Sequence, residues 1–575
     1  MKMQKHLYLL LSLFVSLMAF SSCSQRAKES FIDPFNYSIV KKVESENAAV
    51  VSAHPLASEV GKQILIKGGN AIDASIAMQY ALAVVFPNAG NIGGGGFMVL
   101  HDKDGNSHTI DFREKAPLAA HKDMFLDEDG NAVATISQDG HLSVGVPGTV
   151  GGLFLAHRKF GKLPMKELIE PSIKLAREGF AITEMEAKGL ERVANDFRKY
   201  STTPSAFIKE EKWQAGDILV QEDLANTLQR ICDEGEAGFY DGETADLIVA
   251  EMARGGGIIT LDDLKNYKPV EREPVQFSYK EYDIISMGLP SSGGVLLQQM
   301  FGMLEVYPIK EYGFQSVEAV QLMVEISRRA FADRTEHMGD PDFVSVPLDK
   351  LLDREYILQR ISDFTPGKPT PSSAVKGGLM QPKEKEETTH LSVVDEEGNA
   401  VSVTTTINGL YGSRVVVGGA GFILNNEMDD FSAKPGAPNL FGLLGTESNA
   451  IEPEKRMLST MTPTIVLKDK KPFLVLGTPG GSTILTSVFQ TIINIIEFDL
   501  SVEDAINKPK FHHQWQPDLI YIEEGFPETV KNSLEEMGYE FKRRSPIGQT
   551  EVIMISDKGI EAVGDKRGDD SAAGY

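Results

Sequence analysis

The sequence predicts an α+β fold of antiparallel sheets covered by helices. Three observations carry that reading. Hairpins with β-branched arms lie at 388–407, 464–476 and 551–563. Helical periodicity dominates 48–86 and 150–335. An apolar helix, 484–498, falls between two of the hairpins. Antiparallel strands with covering helices make layers of this kind rather than a parallel doubly wound sheet.

The elements follow in chain order. Lys2 and Lys5 begin a basic start, 7–20 is an apolar run, and the small residues Ser21 and Ser22 precede Cys23. This is the build of a secretory signal, too short for a comfortable membrane span. Residues 1–22 are therefore expected to be a signal peptide. A Cys after small residues resembles a bacterial lipobox, with Cys23 as the lipidated first residue; Phe20 stands where Leu is commoner. The alternative is a soluble exported protein cut near Ser22. Both place the chain on the periplasmic or cell-surface side, the first as a membrane-anchored lipoprotein. Residues 23–45 are polar and irregular, the expected tether.

Residues 48–86 read as helical, with 71–78 apolar at helical spacing. Four glycines, Gly93 to Gly96, mark a backbone that passes close to a neighbour. A hairpin follows around Asp104-Gly105, then helical patterns including 163–178 and 317–334. Residues 364–387 carry Pro366, Pro369, Pro371 and Pro382 and end in Glu384-Lys385-Glu386-Glu387, a charged linker. The chain then changes character. Residues 388–394 and 400–407 form the first hairpin; Asp469-Lys470 and Asp557-Lys558-Gly559 turn the other two.

Composition excludes several classes. Lys+Arg number 57 against Asp+Glu 82, a net charge of −25, so nucleic acid is not an expected partner. Two cysteines cannot build a disulfide scaffold or a Cys-rich zinc fold. Cys232, in the helical pattern 224–233, reads as a lone buried thiol. There is no GxGxxG, P-loop or GxSxG elbow, and the SxxK matches at Ser38 and Ser373 lie in unpatterned stretches. His512 and His513 are adjacent, so both cannot easily face one metal, and no HExxH occurs. No metal and no cofactor is expected.

The chemistry gathers at Glu387-Thr388-Thr389-His390, where the linker ends and a strand begins. Threonine is a weak nucleophile until a base sits beside it. Its own α-amine is such a base if the chain is cut just before it, with a pKa of about 7.7–8.0. Taken alone, Thr-Thr at a strand start is ordinary.

The surroundings are not. The segment 388–421, Asn425-Asn426-Glu427-Met428-Asp429-Asp430-Phe431, Lys455 to Pro463, and Gly477-Thr478-Pro479-Gly480-Gly481-Ser482 closely resemble the γ-glutamyltransferase family (γ-glutamyltranspeptidase, glutathione hydrolase). So do Gly68 to Ala74, the glycine run to Phe97, Asp111-Phe112-Arg113-Glu114, Val146-Pro147-Gly148, Phe511 to Trp515 and Ala573-Gly574-Tyr575. The resemblance covers residues 46–575 in order.

The resemblance implies a four-layer αββα N-terminal-nucleophile hydrolase that cleaves itself between Glu387 and Thr388. The large fragment, 23–387 (tether 23–45 and large subunit 46–387), and the small one, 388–575, would form one heterodimeric domain. Thr388 would attack a γ-glutamyl donor such as glutathione, and water, an amino acid or a peptide would accept the acyl group. Arg113 matches the Arg that grips the donor α-carboxylate, a bidentate task. Asp430 matches the carboxylate that holds the α-ammonium; Asn408 and Glu427 match pocket-lining polar positions. Ser459 and Thr460 match hydroxyls near the α-carboxylate, although turn chemistry before Pro463 also suits them. Gly480 and Gly481 match the oxyanion donors. Thr406 matches a hydroxyl that bonds the nucleophile, although Thr404-Thr405-Thr406 suits any strand. Two alternatives stay open. One is a cephalosporin or glutaryl acylase of the same superfamily; the other is a non-catalytic lipoprotein that binds γ-glutamyl peptides.

Between Pro435 and Lys455 the sequence resembles the family's lid loop, with Phe441 where many bacterial relatives carry Tyr. Phe covers a pocket as a ring but donates no hydroxyl hydrogen bond. A lid without that bond opens more readily. Phe441→Tyr is therefore expected to change the ratio of hydrolysis to transfer products, measured with a γ-glutamyl donor and an amino-acid acceptor. An unchanged ratio would count against a role for this hydroxyl.

Overall fold

Thr389–Val394 and Ala400–Thr406 pair antiparallel, with Thr389 opposite Thr405. Asp395 closes their turn by accepting hydrogen bonds from the backbone N–H groups of Glu397 (3.0 Å) and Asn399 (2.9 Å). The structure, a computed structural model, describes residues 33–375, 388–434, 436, 439–440 and 442–575. Cys23, Glu387 and Phe441, named from the sequence, lie outside the described residues.

The hairpin occupies the middle of a seven-stranded sheet. Its order is Ser571–Gly574, Ala49–Ser52, Thr389–Val394, Ala400–Thr406, Gly95–His101, Ser107–Asp111, Val270–Arg272. A second seven-stranded sheet runs Lys42–Ser45, Gly559–Val563, Glu551–Ser556, Lys471–Gly477, Thr464–Lys468, Tyr282–Ser286, Val275–Tyr279. All neighbours in both sheets are antiparallel.

Strand periodicity then sets the layers. Ala49, Val51, Phe97, Val99, Val394 and Ala400 of the first sheet meet Ile285, Ile465, Val475, Ile553 and Ala562 of the second in one apolar layer. The alternate residues Ile284, Val466, Leu474, Leu476 and Val552 turn the other way. They pack with the helices Gly293–Leu304, Val317–His337 and Thr483–Ile496. Pro55–Ile66 and Ala71–Val85 cover the first sheet: a Cβ on Gly61 would lie 2.4 Å from the sulfur of Met78 and 3.4 Å from Val50. The architecture is αββα, as expected from the sequence.

Near Thr388 the layer between the sheets becomes polar. His390 shares hydrogen bonds with the hydroxyls of Thr404 (2.9 Å) and Ser392 (3.0 Å). Burial pushes its pKa down to about 3, so the ring is neutral. Ser402 donates to the carbonyl of Leu476 and accepts from the N–H of Thr464, both at 3.0 Å. The His390 ring lies against the second sheet at Gly477, where a Cβ would come 2.3 Å from Cε1.

Three local expectations differ. Ala49–Ser52 is a strand, not helix; it is buried on both faces and so lacks the alternation that marks a half-buried strand. Lys42–Ser45, expected in the tether, pairs with Gly559–Val563, and Lys41 Nζ donates to the carbonyls of Asp565, Gly568 and Asp570. Residues 364–375, the described part of the expected charged linker, are held by the helix Val317–His337 and by Trp515. Gln321 bonds Gly367 and Lys368, Ser372 donates to Trp515 O (2.6 Å), and Trp515 Nε1 donates back (3.0 Å). Such partners are distant in sequence and leave no local pattern. Cys232 is half-buried rather than buried.

The loop from Asn408 to Leu424, which leads from the hairpin to Glu427 and Asp430, is anchored by Glu251. Its buried carboxylate accepts from Thr202 (2.7 Å), Arg254 (2.5 Å) and the N–H of Gly418 (3.1 Å), and pairs with His141 (2.9 Å). Burial raises its pKa, but these bonds outweigh it and hold the group at about 2. A carboxylate with a depressed pKa contributes stability above its unfolded value of 4.5 and loses it as pH falls toward 2. Glu251→Gln is expected to cost roughly 1.5–3 kcal/mol at pH 7. In thermal melts the gap from the parent should narrow across that acid window; a gap independent of pH would contradict this role for the carboxylate.

Candidate active site

Arg113 stands two residues beyond the strand Ser107–Asp111. Asp111 fixes it there: Oδ1 accepts from the Arg113 N–H (2.9 Å), and Oδ2 pairs with Arg272 (3.1 Å) and Arg456 (3.4 Å). The glycine run passes behind this segment. A Cβ on Gly94 would lie 2.1 Å from the Thr406 carbonyl, and one on Gly95 would lie 2.6 Å from a Glu114 carboxylate oxygen. The close neighbour expected from four consecutive glycines is thus the site itself.

Asn425 ties the opposite wall to that run. Its side chain donates to the carbonyls of Gly93 and Gly145 (2.8 Å each) and accepts from the N–H groups of Gly145 (2.9 Å) and Glu427 (3.0 Å). The 3-10 turn Glu427–Asp430 follows. Asn408 is left-handed at φ +70°. Its backbone N–H donates to Thr406 Oγ1 (2.7 Å), and its side-chain amide donates to Asn426 O (3.0 Å).

Between these walls one guanidinium meets three carboxyls. Arg113 is 1% exposed; Nη1 pairs with Glu427, Nη2 with Asp430, and Nε donates to Met457 O (3.3 Å). Glu114 lies 3.6 Å from Nη1, and neither of its oxygens has a hydrogen-bond donor. Burial lifts Glu114 to about 8 despite Arg113, so it is mostly protonated near neutrality. Burial raises Glu427 and Asp430 too, while Arg113 opposes it. Asp430 also receives the Asn439 amide (3.0 Å) and the field of Arg334. It is the carboxylate best held in its ionised form.

The third wall comes from the second sheet. Gly480 and Gly481 follow the strand Lys471–Gly477 at φ +134° and +51°, values that favour glycine. They stand just ahead of Thr483–Ile496, at the positive end of that helix. Thr460 donates to the Gly481 carbonyl (2.8 Å), and Ser459 accepts from the Met461 N–H (3.1 Å).

One pocket joins the walls. It is lined by Thr388, Thr406, Arg113, Asn408, Glu427, Asp430, Ser459, Thr460 and Gly481, with Leu443, Leu458, Met461 and Ile484 as its apolar surface. Thr388 is 5% exposed. Gly480 is next to Gly481 but does not line the pocket itself. Sequence reasoning overlooked Arg334, which lines the pocket from the last turn of Val317–His337, and did not single out Glu114. A basic residue in a last helical turn ordinarily serves the helix dipole, so Arg334 carried no signal of its own. Among the described residues no cluster of His, Cys, Asp or Glu is arranged to hold a metal ion.

Both the sequence and the αββα fold are matched in known proteins. The sequence model of the Gamma-glutamyltranspeptidase family matches residues 57–575. The glutathione hydrolase proenzyme of Escherichia coli (strain K12) is 44% identical over 563 residues, 96% of this chain and 97% of that protein. The crystal structure of Helicobacter pylori gamma-glutamyltranspeptidase is 45% identical, covering 61% of this chain and 99% of its own, with a TM-score of 0.56. The crystal structure of cephalosporin acylase from Bacillus halodurans shares the fold at 24% identity and a TM-score of 0.80, covering 96% of this chain and 99% of its own. On these matches, extending over nearly the whole chain, it belongs to the gamma-glutamyltranspeptidase family.

Proposed function

We propose that the chain cuts itself between Glu387 and Thr388 and then transfers γ-glutamyl groups, from glutathione and related donors, to water or to amino acids and peptides. The observation that carries this reading is the pocket shared by Thr388, Arg113, Asp430, Thr460 and Gly481. The cut supplies the base. Before it, the Thr388 nitrogen is an amide; after it, an amine able to accept a proton near neutral pH.

Acyl transfer then proceeds in two halves. The amine takes the proton of Thr388 Oγ as that oxygen bonds to the γ-carbonyl carbon. The carbonyl oxygen becomes an oxyanion facing the N–H groups of Gly480 and Gly481, donors worth roughly 3–4 kcal/mol each in acyl transfer. The C–N bond breaks, and the ammonium returns its proton to the leaving amine. A γ-glutamyl ester on Thr388 remains. Water, or an acceptor amine, gives a proton to the Thr388 amine, attacks the ester and frees the hydroxyl.

Head-group recognition follows from charge. Asp430 and Glu427 both pair with Arg113. A donor α-ammonium competes for Asp430, and the released edge of Arg113 takes the α-carboxylate. A pocket built around Asp430 suits an α-amino acid head; an acylase for glutaryl chains has no ammonium to place there. Export by residues 1–22 and anchoring through Cys23 belong to the same proposal.

Thr388→Ala is expected to give one uncut chain near 63 kDa, less any signal, without γ-glutamyl-p-nitroanilide turnover. The parent should give two bands on a denaturing gel, the smaller beginning at Thr388 by N-terminal sequencing. Two fragments from the variant would overturn the assignment of Thr388.

A further inference from the structure

The pocket holds a second guanidinium that the γ-glutamyl mechanism leaves unused. Arg334 is 4% exposed, yet it lines the same pocket as Thr388. Its Nε donates to Ser292 Oγ (3.2 Å). Among the described residues, no carboxylate lies close enough to pair with it. The two cations of the site are therefore unlike: Arg113 is saturated by carboxylates and Arg334 is not.

We propose, resting on the γ-glutamyl reading, that Arg334 is a substrate-specificity residue that receives the donor's α-carboxylate alongside Arg113. Three observations support it. A buried cation without an ion pair is costly, and a pocket-facing one is relieved by a ligand anion. The location fits as well. Ser292, which accepts from Arg334, donates its hydroxyl to Ser459 O (2.8 Å) and its N–H to the same carbonyl (2.9 Å). Arg334 is thereby tied to the Ser459–Thr460 wall, and Asp430 lines the same pocket from the turn Glu427–Asp430. The charges also balance. With Glu114 protonated, an α-carboxylate between two guanidiniums and an α-ammonium on Asp430 leave no ionised group of the donor unmatched. Burial pulls the pKa of Arg334 down to about 10, with Asp430 opposing and Arg113 adding to it, so the group is still a cation at neutral pH.

The test compares three anilide donors on the self-processed protein. γ-L-Glutamyl-p-nitroanilide carries both head groups, 4-aminobutyryl-p-nitroanilide lacks the α-carboxylate, and glutaryl-p-nitroanilide lacks the α-amine. In Arg334→Gln, kcat/KM is expected to fall about 100-fold on the γ-glutamyl and glutaryl donors, because their carboxylate no longer meets a charged hydrogen-bond donor. On the 4-aminobutyryl donor it should fall less than about threefold. Arg334→Lys keeps the charge without the fork and should lie between. Equal losses on all three donors would make Arg334 a structural residue and overturn the proposal. So would the failure of both variants to process into two bands. If the parent itself does not turn over the γ-glutamyl donor, the γ-glutamyl reading fails instead, and the two failures are distinguishable.

Discussion

The proposed nucleophile Thr388 stands just ahead of a strand, and it stays in place if that strand is paired along both edges. Thr389–Val394 meets this constraint, lying between Ala49–Ser52 and Ala400–Thr406 at the centre of its sheet. Much of the site is organised from that position. Thr388 inherits the inward face it shares with His390, so it points between the sheets toward the second one. The second sheet answers with Gly477, which leaves room for the His390 ring and ends the strand that delivers Gly480 and Gly481. The wall that carries Glu427 and Asp430 is set by the neighbouring strand. Ala400–Thr406 leads through the Glu251-anchored loop to Asn425 and then to Glu427 and Asp430.

The polar content of the site runs against stability. Arg113, Arg334, Glu114 and Glu427 are buried and Asp430 nearly so, within one pocket and its wall. Apolar residues of similar volume would often fold as well or better. Neutralisation of Glu114 lowers the cost, and close pairing of Arg113 with two carboxylates offsets more of it. What remains is an arrangement ready to exchange one ion pair for another. That is the property expected of a site whose ligand is a zwitterion, and it has no evident use in a purely structural network.

The three hairpins, the apolar helix and the order of the segment after Thr388 were legible in the sequence, because in each hairpin two β-branched arms flank a turn of Asp, Gly, Asn or Lys. The strand-initial threonine and the glycine pairs stood out by their spacing within known motifs. Ala49–Ser52 did not, since a strand buried on both faces reads as a short apolar run that a helix shares. The anchoring of residues 364–375 was hidden for a different reason. Proline and lysine describe a linker locally, whereas Gln321, Arg329 and Trp515, distant in sequence, hold the segment. Arg334 was hidden in the same way: one arginine in a helix full of charged residues shows nothing of the pocket that its last turn faces.

Interleaving of the strands explains how a cut chain can remain one molecule. In the first sheet, Ala49–Ser52 lies between Ser571–Gly574 and Thr389–Val394, and Gly95–His101 pairs with Ala400–Thr406. In the second, Lys42–Ser45 pairs with Gly559–Val563 at one end and Tyr282–Ser286 with Thr464–Lys468 further along. Cleavage before Thr388 breaks one peptide bond and none of these ladders. Separating the fragments would expose strand edges in both sheets and the apolar layer between them. The fold can therefore place a self-inflicted break at its centre. A chain end created at Thr388, as proposed, gains an amine without losing the pairing of the strand that follows it.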